Sequence, residues 1–324
     1  MLFSTTSNGT HASGTTYETG VVYKLDGVVK TKSQYVDTTA FNAATTRQII
    51  ITIAASAPAL YYYCNYHSGM GGQIFTIGQG ITGNTNFDGS IKSIVTVNTT
   101  AGFSIVRWEG SGSAATIGHG LGTTPKWYFT RNRDDTEDWI VYHAGNTAAP
   151  ETDYLQLNAT NATGDSSGVW NDVAPTATTF SVGTANSTNG SSDEMIAYCF
   201  SEVKGFSKFG SYTGNNNSNG NFVYLGFKPA WILFKATDSG QYWHILDNKR
   251  DVSNDGDAPQ LSSNTNASEA TVKSDRGTAS VDFLSNGFKL RSDGSSFNGT
   301  NAMVYMAFAE HPFVSSTGTP NTAR

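Results

Sequence analysis

MIAYCFSEVKGFSKFGSYTG, running from Met195 to Gly214, is the stretch from which the rest of the chain can be read. Its first half returns near the C-terminus as Met303-Val304-Tyr305-Met306-Ala307-Phe308-Ala309-Glu310-His311-Pro312-Phe313. Its second half occurs earlier as Gly102-Phe103-Ser104-Ile105-Val106-Arg107-Trp108-Glu109-Gly110-Ser111-Gly112. The stretch is therefore a joint that closes one copy of a unit and opens the next. Trp127 and Trp231 lie 104 positions apart, as do Trp139 and Trp243. Met195 and Met303 lie 108 apart, so the second copy carries extra residues in its middle. Solenoid and propeller repeats recur every 20–50 residues or so. This spacing is instead the size of a whole small domain.

The 324 residues suffice for two or three domains with cores of their own. Only 14% are charged, and Gly, Ser, Thr and Asn dominate the polar positions. Short apolar runs rich in Val, Ile, Tyr and Phe, bounded by those turn formers, predict strands joined by tight turns. Long helical patterns are absent, and the fold class expected is all-β. A net charge of −6 without a basic stripe argues against nucleic acid. No apolar run is long enough for a membrane span. The opening MLFSTTSNGTHASG lacks the charged start and apolar core of a signal peptide. Cys64 and Cys199 fall in different expected domains and give no disulfide framework.

Residues 1–79 form a first unit, with strands at Val21-Val22-Tyr23, Gln48 to Ile53, Leu60 to Cys64 and Gln73 to Ile77. Residues 80–101 read as a linker or as a strand capping the next domain. Copy one spans 102–204 and copy two 205–314, followed by a tail at 315–324. In copy one the expected strands include 120–129, 138–143, 154–157, 179–182 and 195–202; copy two repeats the order. About 100 residues suffice for a complete sandwich, so each copy is expected to be one. Only Val203-Lys204 separates the copies, too short for a flexible linker, which predicts rigid docking. Cys199 is expected to be buried where copy two has Ala307.

Three groups of residues bear on chemistry. Trp139 and Trp243 occupy equivalent strand positions, with Tyr142 and Tyr242 nearby. Exposed aromatics beside amides and carboxylates stack the apolar face of a sugar ring and bond its hydroxyls. The other reading is that both tryptophans, like the pair Trp127 and Trp231, fill the cores. Asp134, Asp135, Glu137 and Asp138 form the densest acidic cluster. Paired carboxylates can hydrolyse glycosides or hold calcium. Copy two keeps only Asp238 there, which favours a solvated turn, as does the second acidic run, Asp251 to Asp257. Cys64-Asn65-Tyr66-His67-Ser68-Gly69-Met70 places a thiol, an imidazole and a thioether at a strand end. Blue-copper sites use that set together with a second histidine, for which His11 is the upstream candidate. His119, His143, His244 and His311 have no nucleophile or carboxylate at motif spacing, and no Gly-x-Ser-x-Gly, Walker or zinc-protease motif occurs.

Leu60 to Cys64 followed by His67-Ser68-Gly69-Met70-Gly71-Gly72 resembles the cupredoxin-like module of structural proteins in marine bacteriophages, and Phe3 to His11 resembles its earlier part. The resemblance implies an N-terminal cupredoxin-like β-sandwich ahead of two tandem, duplicated, jelly-roll-like sandwiches. Residues 87–314 resemble a second module, an uncharacterised domain of marine phage tail-fibre and other virion proteins. Gly102 to Val106, Ile117 to Gly122, Asp138 to His143, Gly205 to Gly214, Phe283 to Arg291 and Tyr305 to Phe313 carry it. It implies a non-enzymatic virion protein, made in the host cytoplasm and displayed on the particle as a tail or capsid fibre. Its expected partners are host-surface glycan, other virion proteins and further copies of itself, a trimer first. Two rivals stand beside this: a decoration or assembly protein that binds only virion components, and a polysaccharide depolymerase. No cofactor is required, with copper at Cys64, His67, Met70 and His11, or calcium, as the alternatives.

Overall fold

A computed structural model describes residues 1–53, 58–74, 83–250, 259–269, 281–291, 293–294 and 296–312. The acidic run at 251–257, the tail at 315–324 and the end of the 73–77 strand lie outside the described residues. The chain is all-β, built of antiparallel sheets, and divides into two compact units, Met1–Asn84 and Thr85–Arg324.

In the first unit, strands Leu2–Ser4, Leu60–Tyr63 and Gly71–Ile74 form one three-stranded sheet. Strands Val28–Lys30, Val21–Leu25 and Arg47–Ile51 form another. Asp26-Gly27 turns the Val21–Lys30 hairpin with φ of 47° and 78°. Two consecutive positive angles are what a two-residue primed turn requires, and Asp-Gly supplies them at little steric cost. Two short helices, Lys32–Val36 and Thr38–Ala43, interrupt the strand pattern. Thr31 and Gln34 start the first with a reciprocal capping box, and Asp37 caps the second through the Ala40 N–H. Leu2, Tyr23, Leu25, Tyr35 and Tyr63 make the small core that the two sheets share.

The second unit holds both copies. Copy one's large sheet runs Gly164–Asp165, Asp153–Gln156, Ile140–His143, Trp127–Asn132, Glu194–Phe200, Phe103–Glu109, Ser93–Asn98 and Asn84–Asn86. Copy two's runs Leu261–Ser262, His244–Asp247, Pro229–Ala236, Ala302–Ala309 and Ser207–Thr213. Strand for strand, the second order reproduces the middle five of the first. The joint residues keep their roles too. Gly102 and Gly205 enter equivalent first strands with φ of 63° and 78°. Ser93–Asn98 pairs in register with Phe103–Glu109, so the 80–101 segment contributes strands to copy one's sheet.

Each large sheet turns one face to a smaller partner. In copy one this is the pair Ala115–Gly118 and Thr179–Val182 with the short helix Ser167–Trp170, closing a core around Tyr128, Trp170, Phe180 and Met195. In copy two it is the sheet Phe222–Tyr224, Gly287–Leu290 and Val281–Leu284, over Ile232, Phe234, Phe288 and Tyr305. Cys199 and Ala307 are fully buried at equivalent places in the two cores.

A third core joins the copies. Trp127, Val141 and Leu155 from copy one meet Phe209, Leu233, Trp243, Val304 and Met306 from copy two. The central strands are thus covered on both faces, which explains apolar runs such as Trp231-Ile232-Leu233-Phe234 that do not alternate with polar residues. Trp127 and Trp243 stack edge to face at 5.7 Å, and His143 packs on Trp127 at 4.9 Å. Hydrogen bonds cross the same boundary: Trp243 Nε1 donates to Gln156 O at 2.8 Å and Thr163 N to Thr237 O at 2.8 Å. The copies form one compact unit, as the short joint requires.

Candidate functional site

The structure separates the four aromatics singled out for sugar stacking. Tyr142 is 3% exposed and lies flat on Tyr128, centroids 4.6 Å apart, inside copy one's core. Trp243 is fully buried between the copies. Neither ring has a face open to a ligand, so both are corrected to core residues: Tyr142 packs in copy one's core and Trp243 in the core between the copies. Tyr242 is 37% exposed. Trp139 is half-buried and lines a cleft.

That cleft, about 340 Å³, is lined by Arg131, Thr136, Glu137, Asp138, Trp139 and Asn158. The Trp139 indole packs against Phe129 at 5.7 Å and Tyr198 at 6.2 Å, and the Arg131 guanidinium lies over it at 5.9 Å. Its backbone N–H donates to Asn158 Oδ1 at 3.0 Å. Asn158 Nδ2 in turn donates to Asp138 Oδ1 at 2.8 Å, and Gln156 Nε2 donates to Asp138 Oδ2 at 2.5 Å. Asn158 and Asp138 are therefore fixed by one another.

The acidic turn is solvent-exposed at Asp134 and Asp135, and it is also anchored. Asn132 Oδ1 accepts the N–H groups of Asp134 and Asp135, both at 3.0 Å. Asn186 Nδ2 bridges Asp135 Oδ2 at 2.8 Å and Glu137 Oε1 at 3.0 Å. An amide thus bridges the two carboxylates. Among the described residues no three His, Cys, Asp or Glu side chains converge as a metal group.

The four candidate copper ligands converge only in part. Cys64 Sγ and His67 Nδ1 are 3.4 Å apart. The His11 ring turns Nε2 onto the Cys64 carbonyl at 3.0 Å, and Met70 is 58% exposed. Two of the four meet, which does not fit a copper centre of that type. The Tyr66 N–H, the His67 ring and the His67 N–H instead bring the Cys64 thiol down to about 7.

Arg131, Thr136, Asn158, Phe129 and Tyr198 were not singled out from the sequence. The duplication holds a signal for one of them: Asn264 Oδ1 accepts the Trp243 N–H at 3.1 Å, as Asn158 does for Trp139. The repeat thus conserves the asparagine bracket while the two indoles take different surroundings.

With the geometry in place, a family comparison matches residues 76–312 to the domain of unknown function DUF7483. The chain belongs to this family. The DUF7483 match starts ahead of copy one's first strand and ends just beyond copy two's last, so the family domain takes in both copies together. No curated protein and no solved structure matches the chain.

Proposed function

We propose that the DUF7483 domain binds carbohydrate at the Trp139 cleft, as part of a non-enzymatic structural protein on the outside of a bacteriophage particle. The observation that carries the binding reading is the Trp139 ring itself. It is large, half open, held by packing and an asparagine bracket, and ringed by a guanidinium, a carboxamide and carboxylates. A pyranose has an apolar face for the indole and hydroxyls for the planar polar groups, and sites of this mixed kind are fixed in advance by their scaffold. The placement on a particle rests on the resemblance of both modules to virion proteins, a fold-level analogy.

The carboxylates are engaged by amide donors, which supports binding rather than hydrolysis: Asp138 accepts them on both oxygens, and Glu137 accepts from Asn186. One such cleft binds weakly; several copies in an oligomeric fibre raise avidity without new contacts.

A glycan array probed with the full chain and with Trp139→Ala tests this. Binding by the wild type that the variant loses supports the reading. An array with no binder, combined with capture by purified phage particles, would replace it with a decoration role. Release of reducing ends from a bound polysaccharide would make the protein a depolymerase.

A further inference from the structure

Among the described residues copy one's sheet has eight strands and copy two's five, and copy one's shared face continues past the residues that copy two covers. The residues on that face follow from the register. One cross-strand row is Trp127, Phe200 and Phe103, and copy two covers its Phe200 with Phe209 and Phe308 at 6.1 and 6.3 Å. The next is Phe129, Tyr198 and Ile105; the one after is Arg131, Ile196 and Arg107. All six of these are half-buried, and the cleft beside Arg131 continues the same strip to Trp139.

Two features set the strip apart from an ordinary apolar face. Tyr198 links the rings of Trp139 and Phe103, with centroids 6.2 and 6.4 Å away. That spacing suits successive units of an extended glycan better than a single sugar. Among the described residues, neither the Arg131 nor the Arg107 guanidinium has an ion-pair or hydrogen-bond partner, and the Arg131 guanidinium lies over the Trp139 ring. A guanidinium carries five donors in a fixed fork, suited to pairs of neighbouring hydroxyls.

We infer that the Trp139 cleft is one end of a longer groove that crosses the strands by way of Tyr198 and Arg107 and takes an extended polysaccharide segment rather than a terminal sugar. This rests on the carbohydrate reading of the cleft and adds the form of the ligand.

Titration calorimetry on the full chain tests it, with cello-, xylo-, laminari- and manno-oligosaccharides from monosaccharide to hexasaccharide as probes. Affinity for the recognised series rises about tenfold or more with length, roughly 1.4 kcal/mol. Phe103→Ala removes that rise and leaves the shortest ligand's affinity unchanged. Arg107→Gln, which replaces a half-buried side chain without opening a core, makes the same test if Phe103→Ala folds poorly. Equal affinity along the series, or a rise untouched by both variants, overturns the groove and leaves the cleft standing. Binding by no series, or binding indifferent to Trp139→Ala, sinks the cleft and the groove together.

Discussion

Arg131 and Trp139 in copy one have their counterparts in Lys235 and Trp243 in copy two, and the two pairs have opposite fates. Arg131 and Trp139 line an open cleft. Lys235 and Trp243 are buried at the junction, where the Lys235 ammonium donates to Thr160 O at 3.2 Å and the Trp243 indole to Gln156 O at 2.8 Å. Burial draws the Lys235 ammonium down to about 8. A duplicated pair of one cation and one indole thus seals the block from one side and faces solvent on the other. The lesson is that duplication first supplies a self-adhesive sheet face; whatever that face leaves uncovered is then available for a ligand.

The seal is where the largest effects lie. Trp127→Ala or Trp243→Ala empties a void in the shared core and costs about 3–5 kcal/mol, the range for a fully buried tryptophan. Trp243→Ala also removes the donor to Gln156 O. Denaturant unfolding monitored by circular dichroism gives the value; a loss below about 1 kcal/mol in both variants would mean that the copies do not share a core.

Acid should open the same boundary. His143 is buried there, donating from Nε2 to Tyr305 O at 3.2 Å and accepting the Gly145 N–H on Nδ1 at 2.9 Å. Accepting the Gly145 N–H needs the neutral ring, whereas the bond to Tyr305 O does not, and burial lowers the pKa from 6.5 to about 4. A depressed folded-state value means stability is held above pH 6.5 and lost as pH falls toward 4. The shift corresponds to about 3 kcal/mol at most. Stability curves across that window should flatten in His143→Gln, and an equal slope in wild type and variant would remove His143 from the account.

Smaller effects separate the two cores. Cys199→Ala gives copy one the residue that copy two already has and costs about 1 kcal/mol. In the native chain iodoacetamide labels Cys64, with half-maximal rate near pH 7, while Cys199, enclosed and with its thiol pushed up by burial, reacts only on unfolding. Native labelling of Cys199 would show copy one's core to be open.

The architecture was legible because a duplication constrains it twice. Met195–Gly214 named the joint, and the strand order of one copy is repeated by the other. The short joint foretold docking, although the face used was written in another signal. The uninterrupted runs Trp231–Phe234 and Met303–Phe308 require cover on both sides of a strand. Reading that signal would have placed Trp243 in the junction. The cleft was legible only in part. Trp139 and the acidic turn stood out by composition, whereas Phe129, Tyr198, Arg131 and Asn158 join them through strand pairing and hydrogen bonds across distant segments. The helices Lys32–Val36 and Thr38–Ala43 escaped because two turns of helix leave too short a periodic trace, although their caps at Thr31 and Asp37 are present in the sequence.

The smallest change in stability is expected at the cleft, and it carries the largest functional consequence. Trp139→Ala removes a half-buried ring from the rim of the sheet, at a cost of roughly 1 kcal/mol. The most direct measurement is the affinity of wild type and Trp139→Ala for one array-positive glycan, taken on samples whose unfolding curves have been compared. The account predicts near-wild-type folding with binding reduced beyond detection. Undiminished binding by a folded Trp139→Ala protein would contradict it.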